Sequence, residues 1–177
     1  MRVAGNVLVL LSFVWILVAP AGELNDHFIL IRSFTGAHSY SKNEKFSIAI
    51  PKVYLAYDKD GKPIMGAAMR TYKTYKKVTS LLVVTKKNGI YVVTEADIPD
   101  IHLIKGEDKR KVVLDGARTV IGRTVKDKEG KLVKVDAVTG ATRYVKRIFA
   151  NYDLMARKII EQMEADPTWE KILIQQD

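Results

Sequence analysis

The chain contains no cysteine, and that one absence closes several routes. Without thiols there is no disulfide framework, no iron–sulfur ligation, no c-type haem attachment and no thiol nucleophile. Stability must come from a packed core, and any redox chemistry from a non-thiol cofactor. Histidine is almost as scarce. His27, His38 and His102 stand far apart with no carboxylate at metal-ligand spacing, so no metal site can be read. Acidic residues are few relative to basic ones, 20 against 29, for a formal net charge of +9. The Lys and Arg residues are spread along the chain instead of gathering with aromatics on one element, which argues against nucleic acid. They read as a solvated basic surface, or as one able to meet an acidic protein or anionic headgroups.

Long hydrophobic runs are also missing, with one exception at the start. Met1-Arg2 is followed by an almost wholly apolar stretch over 3–18, interrupted at Gly5-Asn6, and then by Ala19-Pro20-Ala21. A positive start, an apolar middle and a small-x-small end describe a secretory signal peptide over 1–21, with Gly22 as the mature start. A retained membrane anchor is the alternative, although the run is slightly short of the roughly 20 residues a span wants. Either reading exports the rest, to the periplasm or the outer face of the cytoplasmic membrane.

Residues 22–50 form a poorly patterned N-terminal segment. Phe28-Ile29-Leu30-Ile31 suits a strand or a helix fragment, and 39–43 reads as loop. Clear patterning begins at Pro51, so 51–177 is taken as one domain. Strands are expected at 52–57 and 64–72 around the turn Asp58-Lys59-Asp60-Gly61-Lys62-Pro63, and at 78–85 and 90–94 around Lys86-Lys87-Asn88-Gly89. A helix is plausible over 107–121, with Val113, Ala117, Val120 and Ile121 on one side and Gly116 weakening it. A turn at 127–130 and a short strand at 131–135 follow. The best-marked helix spans about 140–165, with Val145, Ile148, Phe149, Tyr152, Met155, Ile159 and Met163 three or four apart; Thr139 suits its N-cap and Asp166-Pro167 its end. The expected class is α+β: an antiparallel sheet built from hairpins, with a long C-terminal amphipathic helix packed on it.

One heptapeptide, Asp136-Ala137-Val138-Thr139-Gly140-Ala141-Thr142, joins the expected strand to that helix. At 100° per residue Thr142 falls nearly in line with Phe149, so its hydroxyl lies on the apolar side at the helix's first turn. Free N–H groups and the positive dipole end favour an anion there by about 0.3–1 kcal/mol. Gly140 and Ala141 add little bulk, while Arg143 and Lys146 could face a phosphate. By geometry alone the segment is more readily a capped helix start, with Thr139 as the cap and Thr142 bonding a carbonyl one turn back.

The heptapeptide resembles the Asp-x-x-Ser/Thr-Gly-Ala-Thr signature of the FMN-binding domain family. That domain occurs in the flavin-carrying subunits of sodium-translocating NADH:quinone reductase and the Rnf complex, and in stand-alone exported flavoproteins. The likeness extends loosely through Tyr57 and Asp60-Gly61-Lys62-Pro63-Ile64-Met65-Gly66 and covers roughly 50–165. It implies that Thr142 carries FMN as a phosphoester, installed by a separate flavin transferase. Asp136, Thr139, Gly140 and Ala141 would be what the transferase reads, with Arg143 beside the phosphate. Two features differ from the family pattern. Arg143-Tyr144-Val145 stands where Ser or Thr often follows, and Glu95-Ala96-Asp97-Ile98-Pro99 replaces a Gly-rich segment near the ring.

The resemblance therefore implies an electron carrier between envelope redox partners, such as cytochromes or a membrane electron-transport complex, more than a self-sufficient enzyme. A tether suits an exported compartment, where a free cofactor would be diluted away. The alternatives are a flavin-free binding module of the same fold and a flavin-dependent reductase with its own substrate. Asp97, Asp100, Glu107 and Asp108 read as solvated loop charges. Tyr72, Tyr75 and the lysines at 73, 76 and 77 could contact a flavin or a membrane, and a half-exposed strand edge explains them equally well; Trp169 reads as a pin for the C-terminal tail.

Overall fold

A computed structural model describes residues 29–42, 51–73, 77–135, 143–165 and 170–174. Its strands are β1 (Ser39–Lys42), β2 (Lys52–Tyr57), β3 (Pro63–Lys73), β4 (Lys77–Lys87), β5 (Ile90–Asp97), β6 (Thr124–Lys126) and β7 (Ile172–Leu173). Its helical residues are a turn over 29–31, a 3-10 turn at Ile101–Leu103, and the helices α1 (Glu107–Arg118) and α2 (Arg143–Glu164). The strands form one sheet in the order β6-β5-β4-β3-β2-β1-β7, antiparallel at every pairing. The class is α+β. Among the described residues no helix is long and apolar enough to cross a membrane.

Local chemistry accounts for the central strands. Between β2 and β3 the Asp58 carboxylate accepts the N–H groups of Asp60 (3.0 Å) and Lys62 (2.9 Å), and Gly61 takes the positive φ of 76° that closes the turn. Between β4 and β5, Lys87 pairs with Ile90 and leaves a two-residue link. Asn88 and Gly89 both adopt positive φ, 51° and 81°, the backbone hand that matches strand twist.

Each face of the sheet carries its own apolar cluster. On one, Leu55, Leu82, Val84 and Val93 pack with Ile148, Phe149, Tyr152, Met155 and Ile159 of α2 and with Val113 and Ala117 of α1. Gly66 of β3 permits the approach: a Cβ there would lie 2.5 Å from Ile159 Cγ2. On the other face Leu30, Phe34 and Ala37 cover Ala56, Ala67, Met69, Leu81 and Val83. Ser33 Oγ donates to Glu95 Oε2 (2.5 Å) and Arg32 pairs with Glu95 at 3.9 Å, fastening this cover to β5.

Several local readings are corrected. Residues 39–42 are strand, not loop: β1 is sandwiched between β2 and β7, Tyr40 stacks on Tyr54 with centroids 6.2 Å apart, and Ser41 Oγ hydrogen-bonds Tyr57 Oη at 2.7 Å. The short strand is not 131–135 but β6, which Leu132 meets through a single bridge to Lys126. Helix α1 stops at Arg118, leaving Val120 buried and Ile121 exposed. Tyr72 is half-buried and pairs with Val78 of β4, beyond the last pairing of β3 with β2 at Met69. Asp100 is no solvated charge, since both its oxygens accept the Thr79 N–H at 2.9 Å.

Candidate functional site

Asp136, Thr139, Gly140, Ala141 and Thr142, together with the side chain of Arg143, lie outside the described residues, as do Tyr75 and Trp169. What the structure describes is the frame on either side of the heptapeptide. Upstream, Val135 is buried and donates its N–H to Asp153 Oδ1 at 3.1 Å. That carboxylate sits on α2, ten residues into the helix, and also accepts Arg157 Nε at 2.9 Å. The Asp153 hydrogen bond and charge raise the Arg157 guanidinium above its ordinary pKa. The upstream flank is thereby tied to the same helix that begins downstream.

Downstream, the first turns of α2 rest against α1 and the link that follows it. Val145 is buried, and a Cβ on Gly116 would meet Val145 Cγ1 at 3.3 Å. Gly116 is thus more than a weak point in α1; it makes room for the start of α2. One turn on, Phe149 is fully buried, and the Arg123 guanidinium lies 5.7 Å from its ring centroid. Arg123 Nε donates to the Thr119 carbonyl at 3.0 Å, which fixes the cation over the ring.

Charge at this helix end runs against the usual rule. Helix N-termini ordinarily carry Asp or Glu, because the dipole's positive end repels cations. The first turn of α2 has no acidic residue. It opens with Arg143, and Lys146 and Arg147 are exposed just beyond. Among the described residues, the start of this helix therefore carries no acidic side chain to offset its dipole.

Further along α2 the polar groups serve the interior. Tyr152 Oη donates to the Asp97 carbonyl at 3.2 Å. Burial, then the neighbouring Tyr72 and Asp97, push its phenol far above the ordinary tyrosine range. Arg70 Nη1 donates to Asn151 Oδ1 at 2.6 Å. The stretch 95–99 is engaged by the body as well: Glu95 holds Ser33, and Ile98 is buried.

Sequence reasoning missed Asp153 and Arg123 and misjudged Gly116. The pattern carried a signal only for Asp153, through its helical spacing to Arg157, and nothing connected it to Val135. No family model, curated protein or solved structure matches the chain.

Proposed function

We propose that the protein is an exported electron-transfer flavoprotein, carrying FMN in phosphoester linkage to Thr142 and passing electrons between envelope redox partners. Its scaffold is an antiparallel sheet built from hairpins with the amphipathic α2 laid along one face. The observation that carries this reading is the heptapeptide Asp136–Thr142 standing directly before a 22-residue helix whose first turn holds no acidic residue. In the resemblance drawn above, that signature is the attachment sequence. The cationic first turn supports it independently, because it favours an anion on electrostatic grounds.

Loading would proceed by attack of Thr142 Oγ1 on the FMN-side phosphorus of FAD within a flavin transferase. The Oγ1–P bond forms, the pyrophosphate P–O bond breaks, AMP leaves, and the hydroxyl proton passes to a base of the transferase. Asp136 and the turn Thr139-Gly140-Ala141 are the transferase's recognition elements, and Arg143 balances the phosphodiester charge. Bound FMN supplies one- and two-electron transfer, while the chain holds and orients it.

The test is co-expression with a flavin transferase followed by intact mass. The expected result is a gain of one FMN minus water, absent in Thr142→Ala. No gain in a host that modifies related domains favours the flavin-free module. Turnover of a soluble substrate by the loaded, isolated protein favours a reductase.

A further inference from the structure

At the β5–β6 corner of the sheet, cations and aliphatic side chains are exposed together. Cross-strand register builds a continuous row there: Lys86 opposes Tyr91, Tyr91 aligns with Lys126, and Lys126 bridges to Leu132. Lys86 Nζ and Lys126 Nζ lie 5.3 and 5.9 Å from the one Tyr91 ring centroid, so the two ammonium groups converge over a buried aromatic. Beside the row runs Lys131-Leu132-Val133-Lys134. All four side chains are exposed, Leu132 by 43% and Val133 by 41%. Lys87, at the hairpin tip, is exposed as well.

The acidic groups of this corner are largely engaged within the fold. Asp127 accepts the Lys131 N–H at 2.7 Å, and Glu164 is held by Lys126 at 2.5 Å, leaving Glu129 exposed on the turn. Against Asp127, Glu129 and Glu164 stand Lys86, Lys87, Lys126, Lys128, Lys131 and Lys134, so the corner is net positive, with two aliphatic side chains set between its exposed lysines.

We propose that this corner docks on an anionic lipid surface, the lysines meeting headgroup phosphates and Leu132 and Val133 entering the interfacial layer. The composition favours lipid over a protein partner. Protein-binding hot spots are enriched in Trp, Tyr and Arg, whereas the exposed groups here are lysines and aliphatics. Lysine beside aliphatic surface is the pairing that snorkels at a bilayer, stems in apolar contact and ammonium in water. The proposal stands on the corner alone and does not depend on the flavin.

The absence of cysteine permits a site-specific test on the full chain. A single Val133→Cys, labelled with an environment-sensitive fluorophore, reports this corner and not the N-terminal apolar run. The probe surfaces are phosphatidylcholine vesicles with and without phosphatidylglycerol. The expected result is a blue-shifted, brighter label with the anionic vesicles only, reversed by salt. In the labelled protein, Lys131→Glu with Lys134→Glu should weaken partitioning on the order of thirtyfold from the two lost lysines alone. Lys59→Glu with Lys62→Glu, the same change in net charge on exposed positions of the β2–β3 turn, should leave partitioning within about twofold. No spectral response to anionic vesicles overturns the proposal, as does an equal response to neutral ones. Equal losses from the two charge reversals would mean net charge, not this corner, and also overturn it. A response to soluble polyglutamate without one to vesicles replaces lipid by an acidic protein.

Discussion

Replacing Gly66 by alanine tests whether α2 truly rests on β3 at the distance described. The added Cβ would stand 2.5 Å from Ile159 Cγ2 and 3.1 Å from Leu55 Cδ2. Carbon pairs settle near 3.5–4.0 Å, so about an ångström must be opened against Ile159 and half of that against Leu55. Both side chains are fully buried, which leaves them no solvent side into which to swing. Overpacking of this kind costs about 1–3 kcal/mol, and relief of glycine's backbone entropy returns about 0.5–1 kcal/mol. The expected net loss for Gly66→Ala is about 1–2 kcal/mol, read as a lowered urea midpoint by circular dichroism at unchanged slope.

The stronger measurement is the double-mutant cycle. Ile159→Ala alone should cost about 2–5 kcal/mol through the cavity it leaves, but it removes the atom that Gly66→Ala would strike. In that background Gly66→Ala should be neutral or stabilising, giving a coupling of at least about 1 kcal/mol. An equal penalty in both backgrounds would refute the close approach, and with it the placement of α2 over the sheet.

Three other substitutions follow from the same structure. Burial, then the Glu164 carboxylate, push the Tyr91 phenol up to about 12, while the unfolded chain releases that proton near 10. Tyr91 therefore leaves stability intact below about pH 10 and removes it as pH rises from 10 through 12, by on the order of 2 kcal/mol. Tyr91→Phe should flatten that alkaline loss in urea melts. Asp153→Ala should cost about 1–3 kcal/mol by stranding the Val135 N–H. Arg157→Ala, which loses only the partly exposed ion pair, should cost under about 0.5 kcal/mol. Equal losses from the two variants would show that the ion pair, not the tie to Val135, is what Asp153 provides.

Much of the frame was legible because it is written in short-range chemistry. The seven apolar positions assigned to the long helix are all buried, and their spacing alone shows where a 3.6-residue period holds. Asn88-Gly89 marks its turn because few other residue pairs accept two positive φ angles in succession. Strand β1 was not legible. Ser39-Tyr40-Ser41-Lys42 is too brief for periodicity to register, and it is strand only because β2 and β7 lie on either side of it. Asp100 failed as a loop charge for a similar reason: its partner, the Thr79 N–H, is 21 residues away.

The candidate site divides along the same line. The sequence alone determined the chemical identity of Asp136–Thr142 and its position at the head of a basic, amphipathic helix, since both are properties of neighbouring residues. Tertiary structure decided that Asp153 fastens the upstream flank at Val135, that Gly116 makes room for Val145, and that Arg123 stands over Phe149. Those contacts join residues 18, 29 and 26 positions apart. No local propensity encodes such meetings. They arise when the chain closes its loops to bury the apolar faces of α1 and α2 against one sheet.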